Sequence, residues 1–169
     1  MVDLKKFIKA GVHFGHKTSF WNPKMRPFIW GARNKIHLID VYKTAYLVEQ
    51  ASKFLKEIVS EGKSVLWVGT KKAAQGSVLK AAESLKMPYV VNRWVGGTLS
   101  NFDQVKKAVT GLLHLKDVVQ KGTGNHTKKE LVMIQKEIGR LERNVGGIVD
   151  LEFPPGAIVV VDAKRESSA

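Results

Sequence analysis

The chain has 169 residues, 44% of them apolar and 25% charged, which suits one folded domain with a sizeable core rather than a disordered tail. It contains no cysteine, which excludes disulfides, thiolate metal sites and a cysteine nucleophile. Twenty-eight lysines and arginines against 15 acidic residues give a net charge of +13, and such a balance favours a polyanionic partner, nucleic acid before an anionic membrane. No signal-type apolar stretch opens the sequence, and no apolar run approaches the ~20 residues of a membrane span, so a soluble protein without a membrane partner is expected. The charge is uneven. Residues 1–36 hold Lys5, Lys6, Lys9, Lys17, Lys24, Arg26, Arg33 and Lys35 against Asp3 alone, so +7 of the total lies in the first fifth of the chain.

Asp3 is placed to cap a short helix from Leu4 to Ala10, with Gly11 as a left-handed stop. The following segment, VHFGHKTSFWNPKMRP, has neither helical nor clean strand periodicity up to Pro27. It interleaves Phe14, Phe20 and Trp21 with His13, His16, Lys17, Lys24 and Arg26, and adds Gly15, Asn22, Pro23 and Met25. Cations and flat rings in an irregular segment suit RNA, the cations meeting phosphates and the rings stacking on exposed bases. Anchoring of the arm to a core is the alternative use of those rings. His13 and His16 have the H-x-x-H spacing of a metal pair, but with no carboxylate or cysteine beside them the pattern favours RNA contact or packed imidazoles. Phe28–Gly31 and Lys35–Ile39 read as two strands of a hairpin around Ala32, Arg33 and Asn34.

Asp40 is a plausible N-cap for a helix reaching about Glu61, with Ala45, Val48, Ala51, Phe54, Leu55 and Ile58 as its buried stripe. Val65–Val68 is a continuous apolar run closed by Gly69, and a helix with Ala73, Ala74, Val78, Ala82 and Leu85 on one face follows at once. That is the pattern of a parallel strand covered on both faces. Pro88–Asn92 and Ala157–Asp162 are two more such strands. Gly69, Thr70, Lys71 and Lys72 at a helix entry could in principle attract an anion, but neither G-x-x-x-x-G-K-[ST] nor G-x-G-x-x-G is present. After the second strand, Arg93, Trp94, Gly96 and Gly97 would lie at the carboxyl edge of the sheet, where open α/β sheets bind ligands. A tight turn around a buried Trp94 is the alternative there.

Between the second and third strands lies a long helical insertion. Ser100 with Asp103 reads as its cap, and Phe102, Val105, Val109, Leu112 and Val119 form a seam in which Lys116 takes one position. A polar turn from Lys121 to His126 leads to the capping box Thr127–Glu130 and to a second seam of Leu131, Ile134, Ile138, Leu141 and Val145, ended by Gly146 and Gly147. These patterns predict an antiparallel helical hairpin, a strut with much of its surface wet or bound to a partner. Lys116 is expected near its distal end, where the helices can splay and the ammonium can reach water or a phosphate.

The blocks AGVHFGH (10–16), WNPKM (21–25), GARNKIHLID (31–40), VGTK (68–71), NRWVGGTLSN (92–101) and LERNVGGI (141–148) together resemble the bacterial-type ribosomal small-subunit protein two family, in family order and over essentially the whole chain. The resemblance implies a flavodoxin-like three-layer α/β/α fold with an inserted coiled-coil hairpin and a basic N-terminal arm. The corresponding domains are 1–40 for arm and β-hairpin, 41–99 with 147–169 for the α/β body, and 100–146 for the helical insertion. It implies a non-enzymatic constituent of the small ribosomal subunit, on its solvent side near the head–body junction, in a cytoplasmic or organellar ribosome. The implied partners are small-subunit rRNA and neighbouring proteins, including the OB-fold ribosomal protein one; no cofactor and no small-molecule substrate are implied. Carried over onto this chain, the rRNA contacts fall on His13, His16, Lys17, Trp21, Asn22, Lys24, Met25 and Arg26, on Arg33, Asn34 and Lys35, on Lys71, on Arg93, Trp94, Gly96 and Gly97, and on Lys106, Lys107 and Lys116. Ser100 replaces the family's usual Thr and Gly156 its usual Asp. The sequence stops at Ala169, just past the third strand, where family members continue toward a five-stranded sheet, so a truncated sheet with an open edge is expected.

Two other classes compete. An enzyme or sensor for a phosphorylated small molecule would hold phosphate at Gly69, Thr70, Lys71 and Gly96 and use Asp162 as base. No paired carboxylates or nucleophile–base set can be assembled for it, and Glu83 is the one acidic residue between Gly62 and Thr98. A basic amphipathic membrane binder fails because the cations do not gather on one helix face.

Overall fold

The computed structural model describes residues 3–121 and 127–169, so most of the polar turn expected around Gly122–His126 lies outside the described residues. The chain forms two compact units, Met1–Glu57 and Ile58–Ala169, and each has its own three-stranded sheet.

In the first unit, the Asp3 carboxylate accepts the Lys5 N–H at 2.9 Å and opens α1 (Leu4–Lys9), and Gly11 follows with φ 75°. The sheet is antiparallel, in the order β1 (Phe14–Lys17), β3 (Ile36–Ile39), β2 (Ile29–Arg33). β1 corrects the sequence reading, which finds no strand there. Its pairing with β3 shifts register between Phe14 and Lys17, and a bulge of that kind removes the alternation by which a strand is recognised. Two 3-10 segments, Thr18–Phe20 and Pro23–Phe28, fill the remainder of the irregular stretch. The hairpin turn is also displaced. Arg33 pairs with Ile36, and the turn is Asn34-Lys35, both with positive φ (50° and 59°), as a two-residue hairpin of right-handed twist requires.

α2 (Val41–Ser60) begins as expected, with Asp40 Oδ1 accepting the Tyr42 and Lys43 N–H groups at 3.0 and 3.2 Å. Its stripe is a correction. Ala45 and Leu55 are half-buried and Ile58 is buried, but Val48, Ala51 and Phe54 are exposed, Phe54 by 55%. Periodicity identifies the apolar face of a helix; it does not supply what covers it.

The second unit is organised on β4 (Val65–Val68), which pairs in parallel with β5 (Tyr89–Val90) on one side and β6 (Ala157–Val160) on the other. The order β5-β4-β6 is the start of the flavodoxin-like series 2-1-3-4-5. β5 and β6 are shorter than the sequence suggests, and β6 stops before Asp162, which has φ 72°. Alternate β4 residues Leu66 and Val68 are fully buried in a cluster with Val90, Val105, Val109, Leu112, Val145, Ile148 and Leu151. α3 (Lys72–Leu85) buries Val78 and Ala82; Val78 Cγ2 lies 2.8 Å from where a Cβ on Gly69 would be. Ala73 and Leu85, assigned to that face from sequence, are exposed.

α4 (Phe102–Lys121) and α5 (Lys128–Val145) pack together, α5 opened by the expected capping box of Thr127 and Glu130. α4 starts one residue too late for Ser100 to be its N-cap; Asn101 precedes its first residue. The half of this pair nearest the sheet is core rather than strut, since Val105, Val109, Leu112 and Val145 are all buried. The path from α5 to Ile148 depends on Gly147. A Cβ there would overlap the Tyr89 carbonyl oxygen and ring. Gly147→Ala should therefore cost about 1–3 kcal/mol through forced backbone displacement, read as a lower urea midpoint at unchanged m-value.

Candidate nucleic-acid interface

In the first unit, the sheet and the two 3-10 segments set out the cationic side chains. Asn22 acts on the backbone: its Oδ1 accepts the Lys24 N–H at 3.0 Å, and Pro23 occupies the first position of the turn behind it. That cap holds Lys24, Met25 and Arg26 outward, all exposed. The far end of the turn is tied down where Lys43 Nζ donates to the Pro27 carbonyl at 2.6 Å and the Asp40 N–H to the Phe28 carbonyl at 2.9 Å. His16 and Lys17 are exposed on β1, and Arg33, Asn34 and Lys35 are exposed around the hairpin turn.

The rings divide between anchoring and exposure. Trp21 lies with its ring centroid 5.7 Å from that of His37, and His13 sits 4.1 Å from Phe14. His13 Nδ1 and both His37 ring nitrogens are buried without a hydrogen-bond partner. Among the described residues no group of three or more His, Cys, Asp or Glu gathers as a metal site would require. Phe14, Phe20 and Trp30 are largely exposed. Sequence reasoning misses Trp30, because it stands inside a predicted strand where a large apolar residue reads as core.

The electrostatics of the N-terminal stretch, residues 3–36, are set by a missing counter-charge. Of the eight cations between Lys5 and Lys35, none forms an ion pair with an acidic side chain among the described residues. Asp3, the acidic residue of that stretch, accepts a backbone N–H.

The second unit treats its candidates differently. The helix entry at Gly69-Thr70-Lys71 is already occupied by carboxylates of the same chain. Glu166, 6% exposed, accepts the Thr70 N–H at 2.9 Å and the Thr70 hydroxyl at 2.6 Å through one oxygen. Lys71 Nζ lies 2.8 Å from Asp162 Oδ2. A phosphate at this helix N-terminus would therefore displace bonded carboxylates, and Asp162, the base of the enzyme reading, is engaged by the lysine beside it.

In the next loop Arg93 is exposed, while Trp94 is partly buried against the main core, as the tight-turn alternative has it. Gly97 has φ 89° and its carbonyl accepts the Asn101 N–H at 2.8 Å; Gly96 faces open space. Asn92 Nδ2 donates to the Arg143 carbonyl at 3.1 Å. A cleft of about 540 Å³ here is lined by Gln75, Tyr89, Asn92, Lys116, Glu142 and neighbouring residues.

On α4, Lys106 and Lys107 are exposed. Lys116 corrects an expectation: its ammonium is 2.6 Å from Glu142 Oε1, and Glu142 lies in the last turn of α5, at the sheet end of that helix rather than its distal end. Glu137, one turn and a half earlier, is taken by Arg140, whose guanidinium it holds above the ordinary value by hydrogen bonding and charge.

Fold and surface define a basic α/β protein whose N-terminal cations, Lys5 to Lys35, have no acidic partner among the described residues, while Lys71 and Lys116 of the second unit each face a carboxylate. Residues 7–169 match the family model described as Ribosomal protein S2. The chain belongs to the ribosomal protein S2 family. It is 44% identical over 169 residues to small ribosomal subunit protein uS2 of Solidesulfovibrio magneticus, an alignment covering 99% of this chain and 66% of that protein. It is 45% identical over 171 residues to small ribosomal subunit protein uS2 of Corynebacterium diphtheriae, covering 100% of this chain and 64% of that protein. The chain thus spans slightly less than two thirds of the length of these relatives.

Two outcomes are expected of the second unit's ion contacts. Glu166→Ala strands a partly buried N–H and hydroxyl at Thr70, so it should lower unfolding free energy by about 1–3 kcal/mol in denaturant titrations. The Lys116–Glu142 pair is 41% and 54% exposed, and a double-mutant cycle to alanine should return a coupling of only about 0.2–1 kcal/mol, falling with salt.

Proposed function

We propose that the chain serves as a structural constituent of the small ribosomal subunit, binding small-subunit rRNA and supporting translation. The observation that carries this reading is the set of eight N-terminal cations without an acidic partner. Unpaired lysines and arginines fixed on a small sheet and capped turns cost self-repulsion, and phosphates relieve it. Membership of the S2 family supports the assembly to which the RNA belongs.

In this reading the arm and its hairpin (1–40) supply the main phosphate contacts through Lys17, Lys24, Arg26, Arg33 and Lys35. Arg93 of the α/β body (41–99 and 147–169) and the outward lysines of α4 on the insertion (100–146), Lys106 and Lys107, add a second set. Lys71 and Lys116 rank below these, because each already faces a carboxylate. The role is non-enzymatic, without cofactor or small-molecule substrate: the helix entry that could hold a phosphate is filled by Glu166, and Asp162 is paired. Ribosomal protein one is the proposed protein neighbour, on the family resemblance, and the cytoplasmic ribosome the proposed location.

The test is salt dependence. Each phosphate contact removed should lower the slope of log K against log salt by roughly 0.7 to 0.9. A chain carrying Lys17→Gln, Lys24→Gln, Arg26→Gln and Arg33→Gln should bind small-subunit rRNA more weakly with a slope smaller by about 3. An unchanged slope in the folded variant would refute the assignment of phosphate contact to the arm.

A further inference from the structure

Trp30 is 77% exposed in the middle of β2, and the backbone explains why. Ile29 pairs with Ile39 and Gly31 with Leu38, so two steps on β2 answer one on β3, and Trp30 is the extra residue of a β-bulge. A bulged residue is excluded from the ladder and its side chain is re-aimed. Both flanks are fixed: the Phe28 carbonyl accepts the Asp40 N–H at 2.9 Å, and Gly31 re-enters the pairing. The largest side chain of the strand is therefore presented to solvent from a rigid element. Arg33 lies about 10 Å further along the strand, with Lys35 in the turn beyond it, both exposed and without an acidic partner.

We propose that Trp30 is a base-stacking residue, and that the first unit takes an unpaired nucleotide of RNA at this bulge. The proposal rests on the rRNA-binding reading above and adds the kind of RNA it meets. An indole presents a flat face that any unstacked base can cover, whereas bases within an A-form duplex are already stacked and lie in grooves that side chains cannot enter deeply. Charge decides between RNA and an apolar protein neighbour. A protein covering Trp30 and the strand beyond it would also have to desolvate Arg33 and Lys35, which have no acidic partner in this chain, whereas phosphates meet both charges. RNA brings the ring partner and the counter-charge together.

The experiment uses the 169-residue chain, a 12-nucleotide oligo(A) strand and a 12-base-pair RNA duplex, with affinities measured by fluorescence anisotropy over a salt series. Trp30→Ala should weaken oligo(A) binding by about 5- to 100-fold, leave duplex binding within about twofold, and leave the salt slope unchanged because no charge is removed. Trp30→Phe should recover most of the loss. Lys24→Gln should weaken both RNAs and reduce the slope by roughly 0.7 to 0.9. If Lys24→Gln acts as stated while Trp30→Ala, with unaltered circular dichroism and melting, weakens neither RNA or both equally, the stacking proposal is overturned and the rRNA reading stands. If the parent chain binds neither RNA in a salt-dependent manner, both are overturned.

Discussion

The second unit depends on a four-residue strand that cannot be exposed. Val65, Leu66 and Val68 of β4 are all buried, and the strand is hydrogen-bonded on both sides. A strand so placed requires apolar cover on each face. Val78 and Ala82 of α3 serve one face. The other is met by residues from the long insertion and its return, Val105, Val109, Leu112, Val145 and Ile148, which share a cluster with Leu66 and Val68. The inserted helices are thus held by the same apolar burial that fixes the sheet, and their outward lysines inherit that rigidity.

Acidic side chains are distributed in a way that complements this core. In the second unit Glu166 closes the start of α3, Asp162 faces Lys71, and Glu142 faces Lys116. Each removes a cation or a helix terminus from competition for external anions. In the first unit Asp3 and Asn22 satisfy backbone N–H groups, and the lysines and arginines of the arm have no such neighbours. Net charge alone would spread attraction over the whole surface. The placement of carboxylates withdraws Lys71, Lys116 and the start of α3 from it and leaves the arm, Arg93, Lys106 and Lys107 available.

What sequence can reveal follows this division. β4, α3 and the capping box at Thr127 are legible because each is a local pattern with one physical reading: a continuous apolar run, a helical period, a reciprocal cap. β1 and the exposure of Trp30 are not, because both arise from register shifts against β3, and a bulge erases the alternation that a sequence pattern displays. The apolar stripe of α2 is visible as a stripe, yet Val48 and Phe54 face solvent, since cover is supplied by tertiary structure. The partners of Lys71 and Lys116 are hidden for the same reason. Asp162 is 91 residues from Lys71, and Glu142 is 26 from Lys116.

The tie between Thr70 and Glu166 has a consequence for how the chain comes together. The two residues are 96 positions apart, whereas α3 and the caps of the helices need only neighbours in sequence. Loop-closure entropy rises with separation, so contacts of that range are the slow ones in a folding domain. Glu166 can reach Thr70 only when β6 already lies beside β4. The occupied start of α3 therefore marks a chain in which β6 has docked beside β4, and an open one marks a chain whose third parallel strand has yet to dock.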